Sequence, residues 1–383
     1  MILGIDASNI HSGGGIEHLK NLLKFADPQS YGIKKILVWG GKIPIEKFPQ
    51  NDLVDLFVIP EIEKSLSKRL FWQNTKLSKI AEESCDLLFT PGGLYLGGFR
   101  PFVSMFQNMQ IFESKERRRE GLSKERIRLN FLLWAQTITF KRASGLICLS
   151  DYSKNYLNRY HSQIISSTEI KIVEHGASKN QYEKETKNKK KTSTKKILKL
   201  LYVSTVKKYK HQWNLIDAVG LLKKAKLPIE LHLVGGGDNK TLNILKSYIQ
   251  RNKLDLDREY IFYHGELTHK ETIKWYYKAD IFVFPSTCEN FPVTILEAMS
   301  AGLPIASSNR GPMPELLKDA GLYLNPESVS SIKDCLQYMI NNPKLTESLG
   351  KKAKLYSNLY SWKICADKSL SFLSSVYEKT RHE

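Results

Sequence analysis

Two glutamates eight positions apart, Glu289 and Glu297, are the side chains in this sequence best placed for chemistry. The first follows a strongly apolar run, Ile281–Phe284, and the second lies within the helix-forming string Ile295–Met299. This pattern predicts a strand, a loop with one carboxylate, and a helix with the other. Because ligands of parallel α/β sheets bind beyond the carboxyl ends of the strands, both carboxylates are site candidates. Without that context, a capping residue and a helix-surface acid would be the better explanation of the two glutamates.

Basic side chains follow another apolar run. Leu200–Ser204 is followed within six residues by Lys207, Lys208 and Lys210. Lysines just past a strand are suited to neutralising a phosphate leaving group. The alternative interpretation is a solvated basic turn.

Glycines mark three further strand ends. Gly13, Gly14 and Gly15 open the predicted helix Ile16–Phe25, while Gly235 and Gly265 each follow a later apolar run. Glycine lets backbone N–H groups approach a phosphate, and a helix N-terminus adds a favourable partial charge. A flexible turn needs the same residue type, so the glycines alone are weak evidence.

Short apolar runs alternate with amphipathic stretches along the whole chain, which predicts βα units and two parallel, doubly wound sheets. The predicted strands of the first half are Ile2–Asp6, Lys35–Trp39, Leu53–Ile59, Asp86–Thr90, Phe102–Phe106 and Gly145–Leu149. Those of the second half are Leu200–Ser204, Ile229–Val234, Tyr260–Tyr263, Ile281–Phe284, Ile305–Ser308 and Leu322–Leu324.

A run without any apolar residue, 183–196, separates the two halves. Its charge and polarity favour a solvated linker over a specific binding tail. We therefore expect an N-terminal domain at 1–182, a linker at 183–196 and a C-terminal domain at 197–355. The stretch from Lys351 to the end has a helical pattern, and a final helix is expected at 356–383.

The composition limits the class of protein. There are 58 basic and 39 acidic side chains, a net charge of +19, which suggests either a polyanionic partner or a generally lysine-rich surface. The five cysteines are scattered without metal-ligand spacing, which supports neither a disulfide framework nor a zinc site. The first residues do not resemble a signal peptide. These features predict a reducing, cytoplasmic location.

The string from Ser286 to Met299 resembles the Glu-x7-Glu signature of retaining, nucleotide-sugar-dependent glycosyltransferases of family GT4. The resemblance implies the GT-B fold, with two Rossmann-like domains facing a central cleft and a last helix that returns to the N-terminal domain. It also implies transfer of a hexose-type sugar to a hydroxyl of a glycan or lipid-linked acceptor. The setting by analogy is cell-surface polysaccharide assembly, such as O-antigen or lipopolysaccharide.

The same resemblance assigns roles to residues. Glu289 and Lys210 are the expected catalytic residues: Glu289 stabilises positive character near the anomeric carbon, and Lys210 binds the diphosphate. Glu297 is expected to accept hydrogen bonds from the ribose hydroxyls. The expected donor-binding residues are Gly14, Gly15, Ser204, Lys207, Lys210, Gly235, Gly265, Leu267, Glu289, Asn290, Phe291 and Glu297, and the expected acceptor-binding residues are Gln107 and Asn108.

The sequence departs from the family pattern at three positions. Thr205 replaces the arginine of the diphosphate clamp, so Lys207 is the candidate substitute, although a lysine is not a bidentate fork. Pro292 stands where the family has glycine and lacks a backbone donor, which leaves the donor sugar open. Gln107 occupies a position often held by histidine. Because it is not a base, the leaving phosphate is expected to take the acceptor proton.

No cofactor and no metal are expected, because no Asp-x-Asp motif ends a predicted strand and lysines with helix dipoles supply the charge. The basic, aromatic-containing stretch Arg117–Arg142 is typical of a membrane-surface helix, but a core helix with a solvated basic face explains it equally. The resemblance favours peripheral contact with the inner face of the cytoplasmic membrane.

Two rival functions remain at this stage. One is another GT-B activity, such as a sugar-nucleotide epimerase or a phosphorylase. The other is a nucleic-acid-binding protein, suggested only by the charge. No helix-turn-helix, zinc-finger or RNA-recognition signature supports it, so no nucleic-acid partner is expected.

Overall fold

A computed structural model describes residues 1–10, 13–166, 168–177, 197–253 and 260–382 of the chain. The charged segment 183–196 lies outside these residues, so its role as a linker stays a prediction. Contacts divide the chain into two compact units, one formed by Met1–Gly176 with Ser361–Glu383 and the other by Ala177–Tyr360.

The first unit is built on a parallel sheet of seven strands in the order β3-β2-β1-β4-β5-β6-β7. The strands are β1 Ile2–Asp6, β2 Lys35–Gly40, β3 Val54–Val58, β4 Leu87–Thr90, β5 Phe102–Phe106, β6 Gly145–Cys148 and β7 Glu169–Ile172. The central strands β4, β5 and β6 are buried throughout, as expected for a sheet covered on both faces. Helices α1 to α9 connect them: Gly14–Phe25, Lys42–Ile45, Leu66–Trp72, Ser78–Ser84, Met109–Phe112, Ser114–Arg119, Lys124–Arg142, Asp151–Tyr160 and Ser162–Ile165.

The second unit has a parallel sheet of six strands in the order β10-β9-β8-β11-β12-β13. The strands are β8 Leu198–Val203, β9 Ile229–Val234, β10 Ile261–Tyr263, β11 Ile281–Phe284, β12 Ile305–Ser308 and β13 Leu322–Leu324. Helices α10 to α16 are Gln212–Lys224, Asn239–Lys253, His269–Lys278, Val293–Ser300, Met313–Leu317, Val329–Asn341 and Pro343–Ser357.

The predicted α/β class with two doubly wound parallel sheets is confirmed. Every strand predicted from the sequence is present, with ends that differ by two residues at most. Strand β7, a four-residue strand at the sheet edge, was not predicted. Its residues alternate between exposed and half-buried, so it lacks the continuous apolar run that marks the other strands.

The C-terminal stretch, for which the sequence predicted a helical pattern, contains two helices. Helix α16 ends at Ser357, and a separate helix α17, Trp362–Arg381, follows. Ser361 causes the new start, because its side chain accepts a hydrogen bond from the backbone N–H of Ile364 and caps α17. Helix α17 thus begins six residues after the predicted start at 356. It packs on α1 within the first unit.

The strand order reverses once in each sheet, between β1 and β4 and between β8 and β11. At such a point the connections that leave two neighbouring strands turn to opposite faces and open a crevice at the carboxyl edge. In the second unit, these connections are the segment 204–211 after β8 and the segment 285–292 after β11. They carry Lys210 and Glu289, respectively.

Candidate active site

Lys210 and Glu289 meet where the two connections lie side by side. The Lys210 ammonium donates a hydrogen bond to Glu289 Oε1, and the two side chains are only 10% and 13% exposed. The ammonium also lies 5.2 Å from the Tyr209 ring centre and 5.4 Å from that of Phe284. Glu289 is not a helix cap, since Pro292 holds that position of α13. The pair thus places one carboxylate and one cation at the switch point, where water screens them little.

Backbone and side-chain bonds fasten the two connections to each other. The Thr287 N–H donates to the Tyr209 carbonyl oxygen at 2.9 Å, and the Tyr202 hydroxyl donates to the Lys210 carbonyl oxygen at 2.7 Å. Burial raises the pKa of Tyr202 well above its ordinary value, so the phenol keeps its proton and remains a donor. His211 adopts a left-handed conformation, and its ring nitrogen lies 3.3 Å from Thr287 Oγ1. These contacts hold Lys210 in a defined position.

Glu297 is a buried carboxylate with both oxygens engaged. His269 Nε2 lies 2.9 Å from its Oε1, and the Tyr276 hydroxyl donates to its Oε2 at 2.9 Å. Burial and the nearby carboxylate raise the pKa of Tyr276 well above its ordinary value, which preserves the donor. The residue is 8% exposed, which excludes the helix-surface interpretation. Each oxygen has a second lone pair that can accept from a ligand hydroxyl.

Three predicted donor-binding residues, Ser204, Gly235 and Gly265, are direct neighbours. The Gly235 N–H donates to the Gly265 carbonyl oxygen at 2.8 Å, and Ser204 Oγ accepts from Gln212 Nε2 at 3.0 Å. Gly235 has a φ of +136°, and a Cβ there would collide with the Ser204 carbonyl oxygen. This position therefore requires glycine.

The remaining predicted donor-binding residues of this unit are Lys207, Asn290, Phe291 and Leu267. Lys207 is 41% exposed, and its Nζ lies 3.9 Å from Asp238. Of these two lysines, therefore, it is Lys210 that lies beside Glu289. Asn290 is buried, and the buried Phe291 ring lies 5.8 Å from that of Tyr360. Leu267 is half-buried in the loop between β10 and α12.

In the first unit, a cavity of about 440 Å³ gathers Gly15, Gln107 and Asn108. Asn108 Oδ1 caps α5 by accepting from the Gln110 N–H at 3.1 Å. Gly14 lies in the first turn of α1, whose cap residue, Gly13, provides no side-chain acceptor. Residues not predicted complete the wall: Asn9, Ile10, Leu66, Arg69, Gly92, Leu94, Ile111, Arg128, Leu132 and Gln136.

A polar network lies beneath this cavity, at the end of β1. Asp6 is buried, and its carboxylate accepts from the Ser8 N–H at 2.9 Å and from Gln73 Nε2 at 2.5 Å. Burial raises the pKa of the Asp6 carboxyl group. Gln73 begins a π-helical turn, a feature found often at functional sites. No motif in the sequence revealed Arg69 or Gln73, although the polar run after β1 was visible.

Helix α7 has features of both interpretations of the Arg117–Arg142 stretch, the core helix and the membrane-surface helix. One face packs into the unit through buried residues such as Leu129 and Ala135. Another face exposes Ile127, Phe131 and Trp134, at 72%, 38% and 56%. Contact of this face with a membrane stays a prediction. Among the described residues, no helix combines the length and the apolar character that crossing a bilayer requires.

Three potential metal ligands that are far apart in the sequence also meet in the first unit. His18, His175 and Cys365 are buried, with ligand atoms within 4.8 Å of one another. The two Nδ1 atoms of the histidines lie 3.1 Å apart. Burial lowers the pKa of His18 to about 4 and raises that of Cys365 to about 12, so all three favour their neutral forms. Sequence spacing alone did not reveal this group, and the expectation of no metal stays untested.

Comparison with known proteins shows similarity to glycosyltransferases. Residues 183–356 match the family described as Glycosyl transferases group 1. The O-antigen chain mannosyltransferase B of Escherichia coli is 27% identical over 174 residues, 45% of this chain and 44% of that protein. The chain spans about a third to under half the length of the first curated relatives that it matches.

Two further matches cover nearly the whole chain. An uncharacterized glycosyltransferase of Haemophilus influenzae is 24% identical over 368 residues, 94% of this chain and 96% of that protein. The crystal structure of Anabaena HepE in complex with UDP and glucose superposes with a TM-score of 0.70, covering 98% of this chain and 100% of that chain at 19% identity. The chain thus has the GT-B fold, and residues 183–356 of its second unit are similar to the group 1 glycosyltransferases.

Proposed function

We propose that the protein is a retaining glycosyltransferase that moves a hexose-type sugar from a nucleoside diphosphate to an acceptor hydroxyl. The observation that carries this proposal is the Lys210–Glu289 pair at the switch point of the second unit. It lies within the segment that matches the group 1 glycosyltransferases, and the buried Glu297 follows on α13.

The pair supplies both charges that this reaction needs. As the bond between the anomeric carbon and the diphosphate oxygen breaks, the electron pair leaves with the phosphate and the sugar becomes positive. Glu289 stabilises the sugar, and Lys210 neutralises the phosphate. The acceptor oxygen forms its bond on the face from which the diphosphate departs, and its proton passes to a leaving phosphate oxygen. This path needs no side-chain base, in keeping with Gln107, and we propose that it needs no metal or other cofactor.

The nucleotide part of the donor is assigned to Glu297 and the three neighbouring strand-end residues. Glu297 accepts from the ribose hydroxyls, and its position is fixed by His269 and Tyr276. Ser204, Gly235 and Gly265, which lie together at the strand ends, are assigned to the diphosphate and base. The HepE structure, which contains UDP and glucose, supports a nucleotide-sugar donor for the fold.

The acceptor is a glycan or a lipid-linked glycan, and the setting is cell-surface polysaccharide synthesis. The E. coli relative, an O-antigen chain mannosyltransferase, supports this assignment. Gln107 and Asn108 line a cavity large enough for a sugar. The exposed apolar side chains of α7 support peripheral contact with an anionic membrane at the cytoplasmic side.

The proposal is tested by incubating the full chain with UDP-, GDP- and ADP-sugars in the presence of a chelator and measuring release of the nucleoside diphosphate. Slow hydrolysis of one donor, lost in Glu289→Gln, is the expected result. Transfer to an added acceptor separates a transferase from an epimerase, and an absence of pyridoxal phosphate absorbance separates it from a phosphorylase. If no donor is hydrolysed and no nucleotide raises the melting temperature, the proposal is wrong.

A further inference from the structure

The cavity of the first unit has an unusual set of wall residues. Two arginines, Arg69 and Arg128, line it, and no aspartate or glutamate does among the described residues. We infer that the acceptor carries an anionic group, a phosphate or a carboxylate, which Arg69 binds while the surrounding amides bind the sugar. This inference rests on the proposed function, because it takes the cavity as the acceptor site.

Arg69 is a half-buried cation without a carboxylate at ion-pair distance among the described residues. Its guanidinium donates only to neutral oxygens: Asn9 Oδ1 at 3.3 Å and the Ile62 carbonyl oxygen at 3.4 and 3.5 Å. These bonds are long for charged donors. Asp6 acts on it electrostatically from beneath, but the Asp6 carboxylate is already held by Ser8 and Gln73.

A guanidinium removed from water gains most from an anion that it can hold with two parallel N–H bonds. Partial burial lowers the pKa of Arg69 and the Asp6 charge opposes that shift, so an anion at the guanidinium would add compensation for its charge. A bound phosphate or carboxylate would supply that compensation. Asn9, which lies between β1 and α1, fixes the direction of the guanidinium toward the cavity that both residues line.

Arg128 plays a different part. Glu125 binds its guanidinium with two hydrogen bonds, of 2.8 and 2.6 Å, so its charge is largely neutralised. The Arg128 side chain is 49% exposed, which is more than the Glu125 side chain. Arg128 therefore adds little free positive charge to the cavity, whereas Arg69 provides the specific anion contact.

The rest of the wall suits a sugar. Four amide side chains, Asn9, Gln107, Asn108 and Gln136, offer donors and acceptors for hydroxyl groups. Gln136 Oε1 is buried and has no hydrogen-bond partner among the described residues, and a rotated amide could satisfy it with a substrate hydroxyl. Apolar side chains cover the remaining wall: Ile10, Leu66, Leu94, Ile111 and Leu132. Such walls pack against the C–H face of a pyranose.

The test compares four probes on the full chain by titration calorimetry: glucose, glucose 6-phosphate, glucuronate and glucose linked through a diphosphate to a short alkyl chain. We expect at least one anionic probe to bind about tenfold or more tightly than glucose, the usual size of a charge-assisted contact. The tightest probe identifies the source of the charge as a phosphate monoester, a carboxylate or a lipid-type diphosphate.

Variants test whether Arg69 causes the preference for anionic probes. In Arg69→Met the anionic probes should bind no better than glucose, whereas Arg69→Lys should keep part of the preference because it keeps the charge. Arg159→Met is the matched control, since Arg159 is an exposed arginine of the same unit outside the cavity. Equal binding of all four probes, no saturable binding of any anionic probe, or an unchanged preference in Arg69→Met would overturn the inference.

Failure here is distinguishable from failure of the proposed function. Donor hydrolysis and nucleotide binding depend on Glu289, Lys210 and Glu297 of the other unit. A wild-type protein that hydrolyses a nucleotide sugar but shows no preference for anionic probes keeps its function and loses this inference. The Arg69→Lys variant also separates anion binding from a merely structural role, because a structural defect would weaken glucose as much as the charged probes.

Discussion

The two switch points of this protein handle charge in opposite ways. In the second unit, the cation Lys210 is paired with Glu289 before any ligand binds, and Glu297 is held by His269 and Tyr276. In the first unit, the half-buried Arg69 contacts only neutral oxygens, and amides rather than acids surround it.

The difference follows from what each site must stabilise. A site for a reacting donor must favour opposite charges that develop as one bond breaks, so a preorganised cation and carboxylate suit it. A site that recognises a stable anionic substrate needs a cation whose charge is neutralised by the ligand. Under the proposed function, the same strand-order reversal serves a reaction site in one sheet and a recognition cavity in the other.

The largest expected effect comes from removing the charge of Glu289. We expect Glu289→Gln to lower turnover by about 100-fold or more, the typical loss when one electrostatic contact to a transition state is deleted. The dissociation constant of free nucleotide should change far less. Glu347→Gln is a matched control, because Glu347 lies on the exposed surface of α16. Unchanged donor hydrolysis would remove Glu289 from the reaction.

The second prediction tests whether Lys210 and Glu289 stabilise each other in the folded protein. Lys210→Met leaves the Glu289 carboxylate with little solvent and no cation, which should lower the free energy of unfolding by about 3 kcal/mol. The double variant Lys210→Met with Glu289→Leu should recover much of that stability and none of the activity. Urea unfolding measures the first effect and donor hydrolysis the second. Additive destabilisation in the double variant would contradict the coupling of the two residues.

A smaller effect is expected at Glu297. Glu297→Ala should raise the dissociation constant of the free nucleotide about tenfold, since bonds between hydroxyls and a carboxylate are lost. Tyr276→Phe removes one support of that carboxylate and should cost about 1 kcal/mol of stability with a smaller loss of affinity. An unaltered nucleotide affinity in Glu297→Ala would argue against a ribose contact.

The smallest prediction concerns the exposed face of α7, next to the helix face that lines the cavity. Replacing Ile127, Phe131 and Trp134 by serine should weaken binding to vesicles with anionic lipids roughly fivefold, because less apolar area enters the interface. Vesicle co-sedimentation measures this. Leu355→Ser, at an exposed apolar position of the other unit, is the control. Equal vesicle binding by the two variants would contradict a membrane contact through α7.

Much of the local structure could be predicted because local patterns carry it. The run Ile281–Phe284 is buried on both faces, so its apolar continuity marked a strand with the observed ends. The helix-forming string Ile295–Met299 likewise lies within the observed helix Val293–Ser300. The break before Trp362 was missed because a single serine cap competes with a long helical pattern on either side.

Which residues stand at the strand ends can be recognised in the sequence, because the apolar runs and the turn residues that mark a strand end are local features. Which of those residues meet depends on the order of the strands in the sheet. Lys210 and Glu289 are 79 positions apart and touch because β8 and β11 are neighbours in the sheet. Arg69 carries no local signal at all. It is held at the cavity by contacts such as its hydrogen bond to Asn9, 60 positions away, and long-range contacts of this kind leave no periodicity in the chain.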